Sequence, residues 1–223
     1  MPEPQSATRL VLDQINALPH SNRALVICDV DEVILHLVSH LESYLKANDL
    51  VFLKHTYKFT GNIGHKEELT PLPGEEVRRH LIRFFDEESH RQQMVDGADT
   101  GLARIAETHE VILLTNLPGA HNKPIREKLL ARMNIPYPVL TNSGPKGGAV
   151  AALSKGRPNP VIFIDDSPAN HASVNASLPS ASLVQFIADD RFRGSMEPAP
   201  HIDLLTGNWS ETADFIAASI KDI

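Results

Sequence analysis

Two acidic clusters follow directly on apolar runs in this chain. Ala24-Leu25-Val26-Ile27-Cys28 gives way to Asp29-Val30-Asp31-Glu32-Val33, and Val161-Ile162-Phe163-Ile164 gives way to Asp165-Asp166-Ser167-Pro168-Ala169-Asn170. Carboxylates set against buried apolar segments cost heavily as unpaired charges, so the fold must bring a counter-charge to them. A hard divalent cation with oxygen ligands, Mg²⁺ above all, suits that task. Helix capping is the plainer explanation, since Asp caps helices and Ser167-Pro168 reads as an N-cap followed by the first helical residue. Capping accounts for one Asp at each place and leaves the second of each pair unexplained. Two further groups could act on an anion. Val111-Ile112-Leu113-Leu114 ends in Thr115-Asn116-Leu117-Pro118-Gly119, a hydroxyl, an amide and a loop of free N–H groups that suit a phosphoryl oxygen, although such a turn needs no ligand. Lys146 follows Thr141-Asn142-Ser143-Gly144-Pro145 at the start of a helical stretch, where a cation opposes the helix dipole and so needs a nearby negative partner.

The elements that must position these residues recur as short apolar runs alternating with helical patterns. Residues 24–28, 111–114, 138–141, 161–164 and 183–187 read as strands, and their uninterrupted apolar character suits strands buried on both faces. Helical stretches fall near 122–133, 146–154, 168–178 and 210–221. This alternation predicts an α/β fold with a doubly wound, mainly parallel, five-stranded Rossmann-like sheet. The rhythm breaks once: roughly 80 residues separate the first strand from the next, where a crossover needs about a dozen. Within that interval 34–47 reads helical, 50–69 is basic and aromatic, and 75–88 places Val77, Leu81, Ile82 and Phe85 on one helical face. The sequence therefore predicts a core of 1–33 and 97–223 with a mostly helical cap, 34–96, inserted after the first strand. In open α/β sheets, ligands bind beyond the carboxyl ends of the strands, which is where the acidic clusters lie.

Set in order, these four strand-end groups resemble the motifs of the haloacid dehalogenase-like (HAD) superfamily of phosphohydrolases. The motifs are an apolar strand followed by D-x-D-x-[T/V] (Asp29 to Val33), a strand ending in Thr (Thr115), a Lys at a helix start (Lys146) and a strand ending in an acidic pair (Asp165-Asp166). The resemblance spans about 24–33 and 97–190; the insertion matches no subgroup. It implies a Mg²⁺-dependent phosphatase that hydrolyses a small phosphorylated metabolite through an aspartyl-phosphate. Asp29 is then the nucleophile, and Asp31 the general acid and later the base, its proton retained by surrounding carboxylates. Metal ligation falls to Asp29, Asp31 (through its carbonyl) and Asp166, with Asp165 and Asn170 in support. Asn170 stands where many members carry an Asp. Thr115, Asn116 and Lys146 hold the phosphoryl oxygens. Dehalogenases of the superfamily use the first Asp without a metal and lack the second, so Asp31 favours phosphate-ester hydrolysis.

Composition narrows the field. The chain has 223 residues, 42% of them apolar, with a net charge of −7 and one Cys. No apolar run approaches the roughly 20 residues of a membrane span, and a single Cys forms no internal disulfide. The reading is a soluble, cytoplasmic protein with a small phosphorylated substrate, no membrane and no nucleic acid as partner, and no signal for an oligomeric state. Two alternatives stand beside it: a Mg²⁺-dependent nuclease, which the −7 charge opposes and the basic-aromatic residues 52–58 favour, and a non-catalytic phospholigand-binding regulatory protein. Lys54-His55-Thr56-Tyr57-Lys58 is the basic and aromatic part of the insertion, which makes Lys54 and Lys58 candidate substrate contacts. Other features carry less. His36 and His40 stand i, i+4 without a third ligand, residues 61–66 miss the Walker spacing, Cys28 reads as a small buried apolar residue, and Arg78-Arg79 as half surface.

Overall fold

Strands form where the sequence offers short runs of branched apolar residues, and helices fill the intervals. The computed structural model describes residues 3–219, apart from Tyr57, Asn159 and Pro160. In chain order the elements are α1 (Arg9–Asn16), β1 (Leu25–Cys28), α2 (Val38–Ala47), β2 (Leu50–Phe52), β3 (Ile63–His65), α3 (Gly74–Glu87), a 3₁₀ turn (Ser89–Arg91), α4 (Ala98–Ala106), β4 (Glu110–Thr115), α5 (Asn122–Arg132), β5 (Val139–Thr141), α6 (Gly147–Leu153), β6 (Ile162–Asp165), α7 (Pro168–Ser177), β7 (Ser182–Phe186), α8 (Asp190–Arg193), β8 (Leu204–Thr206) and α9 (Trp209–Ser219). The predicted helix 210–221 thus extends in part beyond the described residues.

Six strands make one parallel sheet in the order β5-β4-β1-β6-β7-β8. The five expected strands are all present, and β8 is a sixth. It escapes a search for buried apolar runs because it has three residues at an edge, two of them only half-buried. Successive side chains of β1 go to opposite faces, as the strand's two-residue period requires. Leu25 and Ile27 join a cluster with Ile112, Leu114, Val150 and Phe163, while Val26 and Cys28 join one with Leu102, Leu113, Ile164 and Trp209. The sheet is therefore covered on both faces, which explains why its strands read as continuous apolar runs rather than alternating ones. β1 lies between β4 and β6, the place where the winding direction reverses.

Between β1 and α4 the chain builds a separate apolar cluster from Leu37, Leu41, Tyr44, Leu45, Leu50, Ile63, Leu72, Val77 and Phe84. This segment holds an antiparallel pair, β2 with β3, as well as its helices. Along α3 the buried residues are Val77 and Phe84, with Leu81 and Phe85 half-buried and Ile82 on the exposed side. Spacings of four and three residues follow the helical period better than the predicted face containing Ile82. The segment leaves and re-enters the core through two adjacent backbone stretches: His36 N–H donates to the Gln93 carbonyl (2.9 Å) and Val95 N–H to the Ile34 carbonyl (2.8 Å). His36 precedes α2, so it and His40 do not share a helix face, and His40 instead bonds the Glu88 carbonyl.

Candidate active site at the strand ends

Strand order decides what meets at the carboxyl edge of the sheet. Cys28 of β1 is in register with Leu113 of β4 on one side and Ile164 of β6 on the other. Asp29, Thr115 and Asp165, each one or two residues further on, are thereby brought together. Asp29 is kept in line by its N–H, which donates to the Ile164 carbonyl at 2.8 Å.

Lys146, at the N-cap of α6, is fully buried and lies between two of these carboxylates. Its Nζ is 2.6 Å from Asp165 Oδ2 and 2.7 Å from Asp29 Oδ1. The contact to Asp165 is an aligned hydrogen bond; that to Asp29 is an ion pair without good hydrogen-bond alignment. Both acids raise the Lys146 pKa against the opposing effect of burial, so the cation at a helix start has the negative partners it needs. Asp165 is saturated: besides Lys146 it accepts from Ser167 N–H (2.9 Å) and from Asn170 Nδ2 at both oxygens (3.0 and 3.2 Å). Its backbone carbonyl meets His171 Nε2 at 2.8 Å.

Asp166 is different. Nearly buried, its carboxylate accepts no hydrogen bond from any described residue, and its backbone carbonyl alone is bonded, by Gln185 Nε2. Burial, then the charges of Asp165 and Asp29, push its pKa well above the ordinary carboxylate range. Burial above all, with the charges of Asp165 and Asp31 added and Lys146 opposing them, pushes Asp29 up to about 7. One ligand oxygen each from Asp29, Asp165 and Asp166 lie within 4.8 Å of one another. Three carboxylates around one lysine leave negative charge without a partner, and Asp29 and Asp166 are the acids with acceptor capacity to spare. That hard oxygen donor set fits Mg²⁺.

Asp31 belongs to a second arrangement. Its carboxylate accepts from Arg126 Nη1 at Oδ1 (3.0 Å) and from Arg126 Nη2 at Oδ2 (3.3 Å), and Gln92 Nε2 adds a third bond to Oδ1 (2.9 Å). Carboxylates were expected around Asp31; its oxygens are instead held by a guanidinium and an amide. Sequence reasoning missed both partners. Arg126 lies on α5 and Gln92 just past the 3₁₀ turn, distances of 95 and 61 residues along the chain that no motif spans. Glu32 was also missed. It is fully buried with φ +63°, a costly conformation for a non-glycine residue. Oε2 accepts from Leu37 and Val38 N–H (3.0 and 2.7 Å) and Oε1 from Asp189 N–H (2.8 Å). Glu32 thus ties the start of α2 to the loop beyond β7.

A cavity of about 380 Å³ opens over these groups, lined by Asp29, Asp31, Thr115, Asn116, Asp166 and Asn170 from the sheet edge. Thr115 Oγ1 is buried with no hydrogen-bond partner among the described residues, as a hydroxyl kept for a ligand would be. Asn116 lines the cavity while donating to the Gly144 carbonyl and accepting from Asn142 Nδ2, both at 2.9 Å. Lys54 and Lys58 are exposed and absent from the lining. Neighbouring His55 packs toward Phe192 instead, with ring centres 5.5 Å apart, and Tyr57 lies outside the described residues. Cys28 is buried, and burial pushes its thiol up, as suits a core residue. Arg78 and Arg79 are exposed and pair with Glu75 and Glu76.

No family model matches the sequence, and no curated protein matches it either. Solved structures do. A haloacid dehalogenase-like family hydrolase from Streptococcus pneumoniae superposes with a TM-score of 0.54 at 8% identity, covering 87% of this chain and 98% of its own. The fold is that of the HAD-like hydrolases. The HAD-hydrolase YfnB of Bacillus subtilis, in a structure bound to magnesium, gives 0.53 at 12% identity over 88% of this chain and 99% of its own. A 2-haloacid dehalogenase from Pseudomonas syringae gives 0.50 at 13% identity, with 88% and 99% covered. No helix of the described residues is long and apolar enough to cross a membrane.

Proposed function

We propose that this HAD-fold chain is a Mg²⁺-dependent phosphatase acting on a small phosphorylated compound through a phospho-Asp29 intermediate, with residues 34–96 as a cap over the site. The observation that carries this reading is the charge imbalance at the strand ends. Asp29, Asp165 and Asp166 surround a single Lys146, beside an unpartnered Thr115 hydroxyl. Asp29, Asp166 and the backbone carbonyl of Asp31 would hold the metal. A Mg²⁺ ion there would supply the positive charge that lets carboxylates and a phosphoryl group share one site.

The chain's own residues divide the remaining work. Thr115 and Asn116, from the cavity lining, bind and orient the phosphoryl oxygens, leaving phosphorus facing Asp29, while Lys146, buried behind that carboxylate, supplies positive charge beneath the site. Asp29 attacks phosphorus, and the leaving oxygen takes a proton from Asp31. Oδ2 is the atom suited to carry it, because Oδ1 already accepts two bonds and Oδ2 one long one. In the second half Asp31 removes a proton from the water that attacks phosphorus, and Asp29 is released. Arg126 and Gln92 fix the Asp31 carboxylate through both steps.

A dehalogenase would also use Asp29, but it would leave Asp31 and Asp166 without a task and Asp166 without a counter-charge. The single buried Cys28 accords with a reducing, cytoplasmic setting. The test is phosphate release from p-nitrophenyl phosphate and a panel of phosphorylated metabolites, with and without Mg²⁺. Turnover that requires Mg²⁺ and is lost in Asp29→Asn supports the reading. No hydrolysis of any ester by folded, Mg²⁺-saturated protein contradicts it.

A further inference from the structure

Besides the polar groups of the strand ends, the cavity is lined by large apolar side chains. Leu37 comes from the turn before α2, Phe59 from the β2–β3 loop and Phe85 from α3, all three from the inserted segment. Phe59 and Phe85 keep part of their rings exposed, although both pack on the segment's own apolar cluster. Each is fixed by an aromatic neighbour: the Phe59 ring lies 6.0 Å from Phe52, and the Phe85 ring lies edge-on to Phe84 at 5.4 Å. These are pre-set surfaces that would lose water on contact with an apolar ligand. Among the described residues no Lys, Arg or His lines the cavity, and the charged side chains there are the carboxylates of Asp29, Asp31 and Asp166. Lys146 is fully buried beneath them.

We propose that the compound hydrolysed is a monophosphate ester of an uncharged, apolar alcohol, whose hydrocarbon part lies against Leu37, Phe59 and Phe85. This rests on the phosphatase reading and narrows it to a substrate class. A second phosphate or a carboxylate on the leaving group would give up water for a wall where no cationic side chain of the described residues meets it. A polyhydroxylated leaving group would place its hydroxyls against phenyl rings that cannot bond them, losing hydrogen bonds to water without replacement. A hydrocarbon gains from the same wall, because each methylene removed from water adds to binding.

The experiment compares kcat/KM for ethyl, butyl and hexyl phosphate, glycerol monophosphate, and hexyl phosphate carrying a terminal carboxylate, all with Mg²⁺. These are alkyl esters of similar intrinsic reactivity, so differences report the leaving-group site. Each added methylene should raise kcat/KM up to about fourfold, giving at least tenfold from ethyl to hexyl. The terminal carboxylate and the glycerol ester should each fall at least tenfold below hexyl phosphate. Phe85→Ala should lower the hexyl-to-ethyl ratio at least fivefold. Phe59→Leu, a milder change off the helix, should lower it in the same direction by a smaller factor. A flat series among esters that are hydrolysed, or preference for the carboxylate or glycerol ester, overturns the proposal and leaves the phosphatase reading intact. Failure to hydrolyse any ester, p-nitrophenyl phosphate included, overturns both.

Discussion

Asp29 and Asp31 are two residues apart, yet the protein treats them in opposite ways. Asp29 shares its one cation, Lys146, with Asp165, and Asp166 stands beside them with no cation of its own. Asp31 has Arg126 to itself and an amide from Gln92 besides. The first half is built from the edge of the sheet and is left short of positive charge. The second is built from α5 and the returning arm of the insertion and is charge-matched by protein groups alone. A site short of positive charge and a site that holds one side chain still are thus set next to each other. In the phosphatase account the first performs the attack on phosphorus and the second manages the proton.

Substitutions at the two acids should separate these halves most sharply. Asp29→Asn is expected to lower turnover at least a thousandfold on every ester, the scale of losing a nucleophile. Asp31→Asn should lose as much on alkyl phosphates but far less on p-nitrophenyl phosphate, whose leaving group needs little protonation. Steady-state rates on both ester types check this; parallel losses for Asp31→Asn would remove it as the acid.

The ion pairs come next, read by denaturant unfolding. Lys146→Met strands two buried carboxylates and is expected to cost about 3–5 kcal/mol. Arg126→Met strands one that keeps Gln92 and a little solvent, and should sit at or below about 3 kcal/mol. A larger cost at Arg126 would reverse the comparison.

The metal should distinguish the halves without any turnover. Mg²⁺ at a hundredfold excess over its Kd is expected to stabilise the wild type by about 2.7 kcal/mol, seen as a rise in Tm. Asp166→Asn should lose that rise while Arg126→Met keeps it. An undiminished Mg²⁺ response in Asp166→Asn would place the cation elsewhere.

The acidic half was legible in the sequence because its residues sit at the ends of strands. A run such as Val161 to Ile164 announces both the strand and where it stops, and the sheet order then places Asp29, Thr115 and Asp165 side by side. Lys146 was legible because a cation at a helix start needs a reason. The charge-matched half was not. Arg126 on α5 reads as an ordinary exposed helical arginine, and Gln92 as loop; only the chain's path brings them to Asp31. The apolar wall was hidden for a similar reason. Composition drew attention to Lys54 and Lys58, whereas Leu37, Phe59 and Phe85 come from three separate elements of the insertion. Edge strand β8 is too short for its apolar pattern to be read.

The smallest effect concerns a group outside both halves. His109 is almost fully buried, and burial, then Arg23, lowers its pKa below the usual value. Its neutral form is therefore favoured in the folded state. The stability tied to it is present in full above about pH 6.5, and is lost as pH falls from there toward the lowered folded value. His109→Gln should flatten the decline in Tm below pH 6.5 without changing the Mg²⁺ response. An unchanged slope would assign the decline to other groups.

The central claim is that Asp29 attacks phosphorus. Wild-type protein mixed with p-nitrophenyl phosphate and Mg²⁺, quenched in acid during turnover and treated with borohydride, tests it directly, because an acyl phosphate is reduced and a free carboxylate is not. The account predicts conversion of Asp29 to homoserine, found by peptide mass analysis and absent when substrate is omitted. Turnover with Asp29 recovered unmodified and the reduced or phosphorylated residue elsewhere would contradict it.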